Sequence, residues 1–222
     1  MAKLKTPKGK LVRKFGENIF GNPKYDRILN RKPYGPGQHG QARRRRPSNY
    51  GVQLREKQKI KVLYGILEKQ FRNYFEKADK MAGETGTNLM QLLEKRLDNV
   101  VYRMGFASTR PAARQMVNHG HFLVNNRKVN IASFSVKAGD VIQVRDRSKK
   151  MDAILDSMKR IKGDLDLPWL ELDKAKMTGN VIAIPEREDM QVLVNETSIT
   201  DGENEVSVQV VCQGLGIPLQ LK

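Results

Sequence analysis

The chain holds a single cysteine, Cys212, among 222 residues. That excludes an intramolecular disulfide framework and a cysteine-clustered zinc site. Aromatic residues are 6% of the total, with one tryptophan, so platforms for stacking bases are scarce. No apolar run approaches the roughly 18 residues a membrane-spanning helix needs, and no membrane partner is expected. The basic start Met1-Ala2-Lys3-Leu4-Lys5-Thr6 is not followed by the apolar stretch of a secretory signal. Only three histidines occur, His39, His119 and His121. No Walker motif, dinucleotide fingerprint, Ser-His-Asp set or Cys-His set accompanies them. Gly35-Pro36-Gly37 comes nearest to a phosphate-cradling loop, and its proline withdraws a backbone donor. Enzyme chemistry and a bound cofactor therefore have no residues to rest on. His119-Gly120-His121 has a spacing that can ligate a metal, but no cysteine lies near it. A hydrogen-bonding role toward RNA sugar or phosphate suits the pair better, and no metal is expected.

Acidic residues are scarce at one end of the chain. Residues 1–80 carry 22 basic and 6 acidic side chains, and residues 81–162 carry 15 and 7. Residues 163–222 reverse the balance with 4 and 11, and the whole chain is at +17. Such asymmetry describes a polyanion-binding body joined to a terminal part that does not bind. A surface merely kept soluble by charge does not need so dense a concentration of one sign.

Residues 1–50 read as an irregular basic arm. The run Pro33-Tyr34-Gly35-Pro36-Gly37-Gln38-His39-Gly40 cannot sustain a helix and has the composition of a shaped loop. Arg43, Arg44, Arg45 and Arg46 follow it, four guanidiniums that repel one another until phosphates lie between them. Ile60, Leu63, Leu67, Phe71, Tyr74 and Phe75 follow helical spacing, which predicts one long amphipathic helix over residues 51–79. Arg55, Lys57, Lys59 and Arg72 fall mainly off its apolar stripe. A second helix is predicted from Asn88 to Met104, with Leu97, Val100 and Val101 inward. A third starts after Ser108 or Thr109 and buries Ala112, Ala113, Met116 and Val117. The period then changes to that of short strands. Phe122–Val124 and Lys128–Ile131 are joined by Asn125-Asn126, residues that tolerate the positive φ of a tight hairpin. Val141–Val144 alternates like a strand, and a helix is predicted over residues 148–162 with Met151, Ile154, Leu155, Met158 and Ile161 inward.

The fold class is thus α+β. The expected order is an irregular basic arm (1–50), a mostly helical first domain (51–95, completed by part of 185–222), a helix-turn-helix and β-hairpin module (96–162), and an acidic segment of short strands and loops (163–222). The module gathers Arg96, Arg103, Ser108, Thr109, Arg110, Arg114, Gln115, His119, His121, Arg127 and Lys128. A helix start at Ser108–Arg110 offers backbone N–H groups to a phosphate, and arginine on the same turn adds a bidentate clamp. Asp98 is read as an orienter of Arg96 and Arg103. Backbone recognition with few aromatics points to structured RNA read by shape.

Several stretches together resemble one family. They are Arg96-Leu97-Asp98-Asn99-Val100-Val101-Tyr102-Arg103-Met104-Gly105, Ala113-Arg114-Gln115-Met116-Val117, His119-Gly120-His121-Phe122-Leu123-Val124-Asn125, Gln53-Leu54-Arg55-Glu56-Lys57, Pro36-Gly37-Gln38-His39-Gly40 and Pro185-Glu186-Arg187. In this order and spacing they are similar to bacterial-type small-subunit ribosomal protein four, from about residue 7 to residue 196. Two departures are visible. Gly9 and Val12 stand where many family members carry zinc-binding cysteines, so the resemblance implies a zinc-free form. The tail from 197 to 222 differs from the family's ending, and no family role is carried onto it.

The resemblance implies a structural, non-enzymatic component of the small ribosomal subunit. It would bind small-subunit rRNA early, nucleate assembly of the subunit body and contribute to decoding accuracy. It would touch ribosomal protein five and messenger RNA near the entry path, in the cytoplasm or in an organelle's ribosome. Two rival readings use the same module, an RNA-modifying enzyme and a stress-associated RNA-binding protein. The first fails for lack of a catalytic domain, the second against the length of the match.

Overall fold

A computed structural model describes residues 6–42, 46–160 and 167–190. Arg43, Arg44, Arg45, Ile161 and Cys212 fall outside the described residues, as do the segment from Asn195 onward and its alternating Val206, Val208 and Val210. The chain forms two compact units, one containing the described residues up to Phe75 and one those from Glu76 on.

The first unit contains α1 (Lys8–Phe15), α2 (Pro23–Arg31) and α3 (Asn49–Tyr64), and α4 (Glu68–Asp79) carries the chain onward from it. Two of these helices lie inside the stretch expected to be irregular. In α1, Leu11, Val12 and Phe15 share one buried side. Leu11 and Phe15 pack with Val62, Ile19 and Phe20, and each such side chain contributes about 1.5–3 kcal/mol by leaving water. Asn22 caps α2 by accepting the Lys24 N–H, with Pro23 in the first helical position. Proline in that position starts a helix, since it needs no N–H partner there. The glycine–proline loop is shaped as expected. The Arg13 guanidinium donates to the carbonyls of Tyr34 at 3.0 Å and Gly35 at 2.8 Å, and lies over the Tyr34 ring.

The single helix expected over 51–79 is in fact α3 followed by α4. Gly65 sits at φ +65, and the Ile66 N–H reaches back to the Lys61 carbonyl at 3.0 Å, the hydrogen bond of a Schellman stop. The apolar pattern runs through the break because both helices turn the same kind of face inward: Ile60 before it, and Phe71 and Phe75 after it, are all buried.

The second unit begins its regular structure with α5 (Thr85–Glu94), α6 (Leu97–Arg103) and α7 (Arg110–Asn118). Strands β1 (Phe122–Val124), β2 (Arg127–Lys128) and β3 (Val141–Val144) follow, then a 3-10 turn (Asp146–Ser148), α8 (Asp152–Lys159), β4 (Leu170–Asp173) and β5 (Thr178–Val181). The helix expected from Asn88 to Met104 is interrupted. Arg96 is extended, at φ −68 and ψ 136, and bridges Ser135. The Leu97 N–H donates to the Phe134 carbonyl at 2.8 Å, and the Val136 N–H to the Lys95 carbonyl at 2.9 Å. A β-type contact with a distant loop outweighs helix continuation at that one residue.

The strands form one antiparallel sheet in the order β2-β1-β3-β5-β4. The hairpin turn is as expected, with Asn125 at φ 49 and Asn126 at φ 63, although β2 stops at Lys128. β4 and β5 extend the sheet of the RNA module beyond residue 162. Helices α6 and α7 cover one face, and Leu97, Val100, Val101, Met104, Ala113, Val117, Phe122 and Ile142 make a shared core. Helix α8 is shorter than expected; Met151 precedes it and is exposed, while Ile154 is buried. The α+β class holds.

Candidate nucleic-acid interface

Several of the expected RNA-binding cations have partners within the fold. Arg96 is 2% exposed, and its guanidinium closes on Asp98 through Nε at 3.0 Å and Nη2 at 2.7 Å. Arg103 does not share Asp98. It forks onto Glu94, at 2.7 and 3.1 Å. Glu94 is fully buried and also accepts from the Asn99 amide at 2.5 Å. The Asn99 side-chain Oδ1 accepts the Arg110 Nε–H at 2.8 Å, and the Arg110 guanidinium lies 4.5 Å from the Tyr102 ring centroid. Glu94, Asn99, Arg103 and Arg110 thus form one network tying α5, α6 and α7 together. Arg96 is buried and Arg103 and Arg110 are half-buried, and each guanidinium is held by a carboxylate or an amide oxygen, as withdrawal from water demands.

The first unit repeats the lesson. Lys57 and Lys59 are buried. Lys57 pairs with Glu68 at 3.0 Å, and Lys59 with Glu17 and Glu56, both at 3.0 Å. Burial pushes the Glu68 carboxyl upward, but hydrogen bonds from Lys61 and Lys57 more than reverse this and hold it below the usual carboxylate range. Lys57 and Lys59 are therefore not surface cations. Arg55 is exposed, yet donates to the Phe15 carbonyl at the end of α1. Arg72 is half-buried and Arg46 exposed.

The remaining residues of the second unit run from the start of α7 to the β1–β2 hairpin. Thr109 caps α7, its hydroxyl accepting the Ala112 N–H at 3.3 Å, so one N-terminal donor is already satisfied; Ser108 beside it is exposed. From there α7 runs about 12 Å at 1.5 Å per residue, past Arg114 and the exposed Gln115 to the exposed His119. The His119 N–H closes on the Gln115 carbonyl at 3.0 Å. Gly120 follows at φ +71, and a side chain there would run into Lys128, whose Cε lies 2.3 Å from the position of a Cβ. The absence of that Cβ lets the hairpin lysine lie across the end of α7. Arg127 and Lys128 are both exposed.

His121 lies just before β1, its ring 6.0 Å from that of His119. Its Nδ1 is 2.9 Å from Ser148 Oγ. Burial first, and then the positive charges of His119 and Arg145, hold its pKa below the usual imidazole value. A phosphate brought beside it would oppose that lowering. His39 is exposed in the first unit. Among the described residues no group of three His, Cys, Asp or Glu side chains converges as metal ligands would. The sequence reading missed Arg145 and its basic neighbours, which stand beside His121. Their signal was the charge run Arg145 to Lys150 itself.

Two family models match the chain: the Ribosomal protein S4/S9 N-terminal domain over residues 3–94, and the S4 domain over residues 95–142. The Small ribosomal subunit protein uS4 of Parabacteroides distasonis is 51% identical over 201 residues, which are 90% of this chain and 98% of that protein. The protein of the same name from Chlorobaculum tepidum is 50% identical over the same shares. That of Syntrophomonas wolfei is 51% identical over 193 residues, 85% of this chain and 92% of its own. With two adjoining family models and half of its residues shared across nine-tenths of its length, this chain belongs to the uS4 family of small-subunit ribosomal proteins.

Proposed function

We propose that the chain is a structural, non-enzymatic component of the small ribosomal subunit that binds rRNA and neighbouring ribosomal proteins. One observation carries the RNA reading. Gln115, His119, Arg127 and Lys128 are exposed, the His119 and His121 rings lie 6.0 Å apart, and Lys128 of the hairpin lies against Gly120 at the end of α7. Cations and neutral hydrogen-bonding groups so placed, without stacking aromatics, suit a folded RNA backbone. The ribosomal placement rests on family membership, which also disfavours an RNA-modifying enzyme.

The finer reading follows the same line. Ser108, Thr109, Arg46, Arg55 and Arg72, with the arginines before Arg46, extend the RNA contacts. The protein binds early and nucleates the subunit body, contributes to decoding accuracy, meets ribosomal protein five, and approaches messenger RNA near its entry path in a cytoplasmic ribosome. Crosslinking with sequencing of the bound RNA tests this. Crosslinks concentrated in small-subunit rRNA are expected. A spread over cellular RNAs in proportion to abundance refutes the ribosomal role.

A further inference from the structure

A second cationic element stands beside the face just described, beyond the residues matched by the S4 domain. After β3 the chain reads Arg145, Asp146, Arg147, Ser148, Lys149 and Lys150. Its one acid, Asp146, is engaged with Lys149 Nζ at 2.8 Å. Among the described residues no carboxylate lies within ion-pair distance of Arg145, Arg147 or Lys150. Such a run on an unattached loop is an ordinary solvated surface. This one is attached. The Arg145 N–H donates to the His121 carbonyl at 2.9 Å. The His121 ring is hydrogen-bonded to Ser148, a buried residue 27 positions away in sequence. The turn closes on itself through the Ser148 N–H and the Arg145 carbonyl at 2.7 Å. Two points of the basic turn, Arg145 and Ser148, are therefore fixed to His121.

We infer that the turn Arg145–Lys150 is a second element gripping RNA phosphate, and that His121 is its positioning residue, holding the turn in place through Ser148 and the Arg145 amide. The inference rests on the RNA-binding reading above and adds to it. Phosphates along a folded strand are several ångströms apart, so a firm grip needs cations on more than one element at fixed separation. Here α7, the hairpin and the turn converge around Gly120 and His121. The two contacts to His121 remove the turn's freedom before RNA arrives, so little ordering entropy is lost on binding.

The test uses the full chain and the in vitro transcribed small-subunit rRNA of Parabacteroides distasonis, with affinity measured from 50 to 200 mM salt. Replacing both Arg145→Gln and Arg147→Gln should weaken binding about tenfold. It should also flatten the log–log salt slope by about 1.4–1.8, the value for two lost phosphate contacts. His121→Ala should weaken binding clearly more in the wild-type background than in the double-Gln background, while His121→Asn, whose amide replaces Nδ1, should restore most of the loss. Fluorescence of the buried Trp169 verifies folding; where His121→Ala unfolds, Ser148→Ala takes its place. An unchanged affinity and slope in the double-Gln variant overturns the inference while leaving the RNA reading standing. Equal losses from His121→Ala in both backgrounds overturn the positioning role. Failure of the wild-type chain to bind the rRNA overturns the RNA reading itself.

Discussion

Replacing Glu94 by alanine is the sharpest probe of the second unit. Its carboxylate is fully buried and accepts three side-chain hydrogen bonds, two from Arg103 and one from Asn99. The substitution leaves the Arg103 guanidinium, at 12% exposure, with little water to turn to. It also takes from the buried Asn99 amide its bond to the carboxylate, leaving the one to the residue 94 backbone carbonyl at 3.2 Å. Breaking a buried pair from one side costs about 3–5 kcal/mol. Arg103 can relax partly toward solvent, so the lower end, about 3 kcal/mol, is expected. Glu94→Gln keeps the shape but turns an N–H pair toward donors, and should cost about 2 kcal/mol. Replacing the pair together, Glu94→Leu with Arg103→Met, should recover most of the loss, because no unpaired charge remains. The chain's one tryptophan, Trp169, is buried in this unit, so its fluorescence in urea follows the unit's unfolding. With a slope of about 2 kcal/mol per molar, Glu94→Ala should lower the urea midpoint by roughly 1.5 M. A midpoint within 0.3 M of wild type would refute the network as a source of stability.

Five further outcomes are expected. Leu97→Ala should cost about 2–5 kcal/mol in the same urea assay, since Leu97 is fully buried in the core. Arg114→Ala should instead weaken rRNA binding by about 1–3 kcal/mol with little change in melting temperature; exchanged phenotypes would reverse the assigned faces. With about six phosphate contacts, affinity should drop roughly a thousandfold between 50 and 200 mM salt, and a flat titration would remove the electrostatic account. Because His121 is held below its unfolded pKa of about 6.5, the unfolded chain binds the extra proton. Stability should thus decline as pH falls from about 7 to 5, and His121→Asn should lessen that decline in urea titrations at the two pH values. A strong chelator should leave melting temperature and rRNA affinity unchanged, as Val12 is packed fully inside the first unit; stoichiometric zinc in the purified protein would contradict this.

Local patterns were legible without coordinates. Leu97, Val100 and Val101 are buried where helical spacing puts them, Thr109 caps α7, and Asn125-Asn126 makes the left-handed hairpin turn. Each depends on a few consecutive residues whose own conformational preferences settle the matter. Two helix breaks were not legible. Gly65 and Arg96 interrupt helices whose apolar stripes continue on the far side, because the pieces on either side of each break both bury apolar faces. Periodicity reports the buried face, not the continuity of the backbone.

The composition of the charged surface was likewise determined by sequence, down to the steep gradient from basic to acidic. Which cations remain to meet RNA was decided only in three dimensions. Arg103 finds Glu94 rather than Asp98 because the break at Arg96 redirects the chain between them. Lys57 and Lys59 are buried because Glu68 in one case, and Glu17 and Glu56 in the other, come within 3.0 Å. The turn at Arg145 stands beside His121 because β3 pairs with β1 and brings its far end back there. A charge's identity is written in its residue. Its availability depends on which opposite charge the fold brings within hydrogen-bonding distance, and that is a property of tertiary contacts between residues far apart in sequence.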